Sequence, residues 1–349
     1  QEISQIAPAW DELAALSGYP TSAASWYENA CRFAHSSCDQ PHIIVLWDGE
    51  RLAGIAPLIV RHAPHGSRYE VIGTSTLYEP AAILARTNEA ASQLAQAVVA
   101  LKHPLALIRL TDATPFNDAF IRYARRAGLV RCPPTSGSPY VDLRSGWEPY
   151  FEGLPSRLKN VIRRGHRQLG KTGRLEFEFI KPDTTNVTLV LQQAFEVEMQ
   201  SWKRLAGSAV LLRTDLREFF FHYAADLARR GELLVSFLRL DGVPVAMQVA
   251  SVSYRAYWQL KIGYDERQVK YLVGMQLQME TLKWACQQGL DRYEFLGTAE
   301  RWISDWTSAV HPYRTLLFYP FNPIGIRALL RDSIARIQGK LAQRRKNPA

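Results

Sequence analysis

A chain of 349 residues with 47% hydrophobic and 11% aromatic content holds enough apolar mass for two ordinary cores, which excludes disordered and fibrous classes. No stretch reaches the roughly 18 uncharged apolar residues of a membrane-spanning helix, and the opening QEISQIAPAW lacks the basic-then-apolar pattern of a secretion signal, so a cytoplasmic location is expected. The net charge of +9 belongs to two segments, not to the whole surface: residues 156–174 hold seven cations and no acid, and residues 327–349 hold seven cations against Asp332.

In chain order, the first strong signal is HIIVLWDGERLAGIAPLIV (42–60), two apolar runs broken by Asp-Gly. Asp-Gly supplies the positive φ that a two-residue turn needs, so the segment predicts a β-hairpin. SRYEVIG then reads as a strand, NEAASQLAQAVVALK as a helix and LALIRLTD as a second strand. His62 and His65 of RHAPHG have no cysteine or acidic companion at ligand spacing, so that segment reads as a loop and no metal is expected. Cys31, Cys38, Cys132 and Cys286 form no CxxC pair and are expected to be buried thiols. Pro133, Pro134, Gly137, Ser138 and Pro139 mark the end of the first module or its late strands.

SRLKNVIRRGHRQLGK (156–171) follows. Leu158, Ile162 and Leu169, with Val161 beside them, recur at helical spacing, while Arg157, Lys159, Arg163, Arg164 and Arg167 take the other side. Such a helix is a solvated bridge, a surface for an anionic ligand such as a cofactor phosphate or lipid headgroup, or a nucleic-acid contact. ELLVSFLRLDGVPVAMQVASV (232–252) then repeats the Asp-Gly hairpin, and AYWQLKIGYD, GMQLQMETLKWACQQG and LDRYEFLG repeat the strand, helix, strand order of the first copy. Two similar α/β modules in tandem is the simplest account. The expected division is 1–145 for the first module, 146–174 for a basic inter-module helix, 175–320 for the second module and 321–349 for a basic tail. In that tail Ile326, Leu329, Leu330, Ile334, Ile337 and Leu341 follow helical spacing, so it either docks its apolar side on the second module or lies on an anionic membrane surface through 326–346.

The stretches RRGHRQLGKTGRLEFEF, FEVEMQSWKRLAGSAVL, DGVPVAMQ, KIGYDERQVKYLVGMQL and YEFLGTAERWISDW together resemble the GNAT-type acyltransferases of the CelD/BcsL group, relatives of the Fem peptidyltransferases. The likeness runs over about 150–310 and reaches the first module only in layout. It implies an α/β (α+β) fold of tandem GNAT-like modules, each a mixed β-sheet flanked by helices, with the second module catalytic. It further implies transfer of an acyl group from acyl-CoA, a co-substrate and not a bound cofactor, to an amine. A Fem-like transfer from aminoacyl-tRNA is the enzymatic alternative, and a membrane-associated scaffold without catalysis the non-enzymatic one.

By that resemblance the donor pyrophosphate would sit at the start of the helix after the fourth strand, where first-turn N–H groups and the helix dipole favour anions. Here that junction offers Val273, Gly274 and Met275, with Arg267 and Lys270 as nearby cations and one glycine in place of a glycine-rich loop. Acyl transfer to an amine also needs a proton acceptor. Glu198 stands where the relatives place an acidic residue or His four before a Trp, here Trp202, and is the first candidate base; its alternative is pairing with Lys203 or Arg204. Asp265 is the second candidate, against a turn-forming role, and His311 the third, against a structural imidazole. Glu300, Trp302 and Trp306 follow the relatives' last motif, with Ile303 where they carry Lys; the two tryptophans would wall an acyl or acceptor pocket, or else pack in a core. If the tail lies on an anionic membrane, the acceptor amine would sit on a lipid, such as a sphingoid base, or on a cell-envelope glycan precursor, and the enzyme would be peripheral at the inner face of the membrane.

Overall fold

The structure is a computed structural model that describes residues 3–63 and 66–346; His65 lies outside the described residues, as do the side chains of 339–346. It divides the chain into two compact units, one of Gln1–Cys31, His35–Ser136 and Pro312–Ala349, the other of Arg32–Ala34 and Gly137–His311.

The first unit begins with helices α1 (Ile3–Ala14) and α2 (Ala24–Phe33). The hairpin expected over 42–60 follows as β1 (Gln40–Asp48) and β2 (Arg51–Ala63), antiparallel, with Gly49 in the turn at φ +58°. Then come β3 (Gly66–Val71), the short α3 (Thr74–Leu77), β4 (Leu84–Ala85), α4 (Asn88–Ala100), β5 (Leu105–Thr111), α5 (Pro115–Ala127) and β6 (Gly128–Arg131). Thr87 and Thr114 start α4 and α5 as N-caps, their hydroxyls accepting from Ala90 N and Asn117 N. β5 returns parallel to β3, as the repeat in the sequence requires, and α1 and α4 pack on β2.

The second unit opens with β7 (Ser138–Asp142), α6 (Trp147–Gly153) and the basic helix α7 (Ser156–Leu169). It continues through β8 (Leu175–Ile180), α8 (Val187–Glu198), α9 (Trp202–Leu205) and α10 (Thr214–Arg229) to the second hairpin, β9 (Leu233–Leu240) and β10 (Val243–Ser253). Asp241 and Gly242 both hold positive φ there, +50° and +80°, the demand of a two-residue turn that twists with its strands. After β11 (Ala256–Tyr264) come α11 (Val273–Gln287), β12 (Arg292–Glu294) and β13 (Val310–His311); the sheet order is β13-β7-β12-β11-β10-β9-β8. α8 and α11 both pack on β10. The chain closes with β14 (Tyr313–Pro320) and α12 (Pro323–Lys346), which belong to the first unit. Each unit is thus a mixed sheet with flanking helices, a tandem GNAT-like fold.

Three expectations change. The second module does not run to 320: β14 sits between β5 and β6 in the first unit's sheet, while β7 and the basic helix belong to the second unit. Strand pairing is non-local, and an apolar run such as RTLLFYP carries no mark of which sheet it will join. The tail belongs to the first unit, not to the second module. α12 packs against β14 through Ala328, and Asp332 accepts from Arg68 Nη2 and Tyr319 Oη, both at 2.9 Å. Ile326, Leu330, Ile334 and Ile337 are instead each more than half exposed. Nor are all four thiols buried, because Cys38 and Cys132 are exposed.

Burial pushes the Cys31 thiol up to about 12, with Glu28 adding to it, and pushes Cys286 up to about 11, with Glu148 adding to it. The thiolate is the nucleophile, so at neutral pH Cys38 and Cys132 will react rapidly with an aromatic disulfide reagent and Cys31 and Cys286 only after denaturation. A native thiol titration that consumes all four in one fast phase would contradict this packing.

Candidate active site

The second unit's sheet is opened from within. β11 pairs parallel with β12 only where Ala256, Tyr257 and Trp258 face Arg292, Tyr293 and Glu294. β11 then runs on to Tyr264 without β12 beside it. On its other edge the register with β10 shifts: Ala250 faces Gln259 but Val249 faces Lys261, which leaves Leu260 as an extra residue. A bulge bends its strand and ends regular pairing, and bulges gather beside functional sites. The chain leaving β12 is also turned sharply, with Leu296 at φ +54° and Gly297 at φ +51°. A non-glycine residue in that region costs energy and is held only by its surroundings; Ser138 Oγ, donating to Gly297 O at 2.8 Å, is one of the restraints.

Glu294 stands at the parting point and is 1% exposed. His311 Nε2 lies 3.0 Å from its Oε2, Arg292 Nε lies 3.4 Å from its Oε1, and the His311 ring stacks on Tyr140 at 4.0 Å between centroids. The imidazole side chain is 20% exposed, so a carboxylate orients a ring that solvent can still reach. The sequence reading singled out His311 but missed Glu294. Its signal was present: a charged residue flanked by Tyr293 and Phe295 in a short apolar strand must be buried against a partner.

On the α11 side lies a buried polar cluster. Gln248 Oε1 accepts from the phenols of Tyr257 and Tyr293 at 2.9 Å each, and Gln278 Oε1 accepts from Gln248 Nε2 and Gln259 Nε2 at 3.0 and 3.2 Å. Burial holds both phenols well above their ordinary pKa, so they act as neutral donors. Gln259 Oε1 and Gln278 Nε2 are buried with no hydrogen-bond partner among the described residues, and Gln259 is the first residue of β11 past the paired stretch. An amide or hydroxyl reaching them would satisfy one acceptor and one donor.

The other candidates occupy the far end of β11. Glu198 is 1% exposed and fully engaged: Oε1 accepts from Lys203 Nζ at 2.8 Å and Oε2 from Val210 N at 2.8 Å. Lys203 Nζ also donates to Ile262 O at 2.7 Å, so the pair ties the end of α8 to the 203–210 segment and to β11. Gly263 permits this approach, since a Cβ there would lie 2.8 Å from Glu198 Cα. α8 ends at Glu198, which removes the shared helical face with Trp202; that ring is 49% exposed. Asp265 caps the turn before α11, accepting from Arg267 N at 2.9 Å and from Arg267 Nη2 at 2.8 Å, while Arg267 Nη2 also donates to Gln200 Oε1. The carboxylate beside it raises the Arg267 pKa. Both carboxylates therefore serve as structural ties, and Arg267 is already paired.

Val273, Gly274 and Met275 do form the first turn of α11, after Leu272 at φ +58°, and Lys270 Nζ sits 4.8 Å over the Tyr271 ring. Trp302 and Trp306 are core and not pocket walls. Trp306 is 3% exposed beside buried Ile303, and Trp302 meets Phe295 edge-on at 5.9 Å between centroids. Ile303 faces that core, where a Lys would bury an unpaired charge. Glu300 accepts from Trp302 Nε1 at 2.8 Å, at the surface.

A mixed sheet that parts between two parallel strands, with a helix N-terminus after the longer one, is the arrangement of a GNAT-like fold. Residues 156–303, which lie within the second unit, match the family model described as Acetyltransferase (GNAT) domain. Among solved structures the chain is similar to FemX, with a TM-score of 0.61 and 10% identity over 89% of this chain and 96% of that one. It is also similar to the C-terminal domain (DUF2156) of an Agrobacterium fabrum protein whose description names it a lysylphosphatidylglycerol synthetase, with a TM-score of 0.56 and 11% identity over 95% of this chain and 96% of that one. A conserved protein of unknown function from Bacteroides thetaiotaomicron VPI-5482 matches with a TM-score of 0.54 and 9% identity over 91% of this chain and 97% of that one. These identities speak for the fold alone. No curated protein matches the chain.

Removing the Glu198 carboxylate leaves the ammonium of Lys203, 20% exposed, without its partner. Glu198→Ala is expected to cost about 3 kcal/mol and to lower the thermal midpoint of the second unit by roughly 6–12 °C, read by calorimetry. An unchanged midpoint with lost activity would return Glu198 to the role of base.

Proposed function

We propose that the second unit is an N-acyltransferase that moves an acyl group from acyl-CoA to an amine, with His311 as the base. The observation that carries this reading is the parting of β11 from β12 with the buried Glu294 and its imidazole partner at the branch. The acyl thioester lies in the gap, its pyrophosphate at the first turn of α11 near Val273, Gly274 and Met275, with Lys270 close by in sequence. The amine nitrogen attacks the thioester carbonyl, His311 takes the proton, the C–N bond forms and the C–S bond breaks to release the CoA thiolate. Glu294 orients the ring and faces the imidazolium with an opposite charge. Val273 is buried in one apolar cluster of the unit and Met275 packs against another, so both face apolar surroundings at that first turn.

For the acceptor we favour an amine on a lipid, of sphingoid-base type, or on a cell-envelope glycan precursor, handled at the inner face of a membrane. Support comes from α12, where Ile326, Leu330, Ile334 and Ile337 form an exposed apolar stripe on one helical face with Arg327 and Arg336 on its two sides. The cations at 340–346 would add to that attraction, though their side chains lie outside those described.

Calorimetric titration with CoA and with acetyl-, medium- and long-chain acyl-CoA tests the donor. Affinity that rises with chain length supports the reading; binding of none, with activity that ribonuclease destroys, would move the chain to an aminoacyl-tRNA donor. His311→Asn is expected to lower kcat by roughly 10²–10⁴ at an unchanged thermal midpoint, and Glu294→Gln by a smaller factor. A His311→Asn enzyme as fast as the parent would remove the base assigned here, and absence of any acyl transfer in the parent would favour a scaffold.

A further inference from the structure

A second feature of the same unit is not used by acyl transfer. A cavity of about 780 Å³ lies along α7, closed by α6, β8 and α11. That volume is in the range of about 300–1,000 Å³ that sites for small ligands occupy. Its cationic lining is Lys159, Arg163, Arg164, Arg167 and Lys283, and Glu280 is the one acid among the lining residues.

Three observations bear on what it takes. Arg163, Arg164, Arg167 and Lys283 enter no ion pair among the described residues, whereas other arginines of the second unit, such as Arg239, Arg255 and Arg267, are paired with carboxylates. Lys159, Arg163 and Arg167 stand four apart on one helix and so form a line about 12 Å long. Beneath them the lining is apolar: Trp147, Phe151, Phe177, buried Ile162 and buried Met279.

We propose that this groove binds one anionic phospholipid, its phosphate on the α7 cations and the first part of an acyl chain on the apolar lining. The charge asks for an anion, and a free phosphate would leave the apolar lining unused. Single-stranded nucleic acid would need open aromatic faces on which to stack bases. Here Trp147 stacks on Phe151 at 5.2 Å, Phe177 stacks on His166 at 6.0 Å, and Lys159 and Arg163 lie over the Phe151 ring, so each of these rings already has a face in use. Clustered cations beside apolar surface recognise anionic headgroups by the same two forces. Gly165 lets α7 lie close beside the start of α11. A Cβ there would lie 2.4 Å from Tyr271 O, so the bare helix face comes close to the turn before α11, and His166 Nδ1 meets Gln276 Oε1 at 2.9 Å.

This inference does not rest on the acyl-transfer reading, because it is read by binding alone. The full chain is mixed with vesicles of phosphatidylcholine, or of phosphatidylcholine with phosphatidylglycerol, and sedimented. The expected result is binding to the anionic vesicles only, weakened roughly tenfold or more in Arg163→Glu/Arg167→Glu and kept in Arg163→Lys/Arg167→Lys. Phosphatidylglycerol with brominated chains should quench the tryptophan fluorescence of the parent, and distinctly less in Trp147→Phe. Equal binding by the charge-reversed variant, or its loss only in Arg327→Glu/Arg336→Glu, would assign the membrane contact to α12 and overturn the proposal. Displacement of the vesicles by free CoA would assign these cations to the donor instead, and binding of a mixed-sequence RNA without vesicle binding would overturn it as well.

Discussion

The second unit depends on one interruption in a sheet. Three residue pairs join β11 to β12, and then the strands separate. Backbone groups in a sheet interior need partners, so a gap of this kind survives only if the strands around it are held elsewhere. β10 and β9 hold one side through antiparallel pairing with one register shift between Pro244 and Ala246, and β7 holds the other by pairing with both β12 and β13. The bulge at Leu260 and the left-handed backbone at Leu296 and Gly297 direct the two chains apart. The site proposed here uses a gap in a rigid frame more than a flexible loop.

Chemistry is divided around that gap. Glu294 and His311 come from β12 and β13, which meet only because β7 lies between them. Glu198 and Asp265, the more obvious carboxylates, are tied to Lys203 and Arg267 and brace the other end of β11. A buried acid that fixes its neighbours is poorly placed to accept a substrate proton, whereas a ring that is 20% exposed beside a buried carboxylate can do so.

Much of the plan was readable from residues alone. The two Asp-Gly turns, the apolar alternation on each side of them and the strand, helix, strand order after them are local signals, and each appears in the structure at the expected place. The basic helix was equally plain, since Leu158, Ile162 and Leu169 recur at the helical period and all three are buried. The resemblance carried the fold and located the helix whose first turn includes Gly274. It also led toward Glu198, Trp302 and Trp306, which the fold uses for stability.

What the sequence determined by itself is therefore the set of elements, their order and which face of each is apolar, because those follow from short-range periodicity and turn chemistry. What only the tertiary structure decided is the partnership of elements distant along the chain. β14 joins the first unit's sheet although it follows the second unit, and β7 joins the second unit's sheet between β13 and β12. His311 acquires Glu294, and the α7 cations stay without carboxylate partners among the described residues. Pairing between strands is set by which backbone edges and apolar faces remain available after the rest has packed, and no local pattern encodes that remainder.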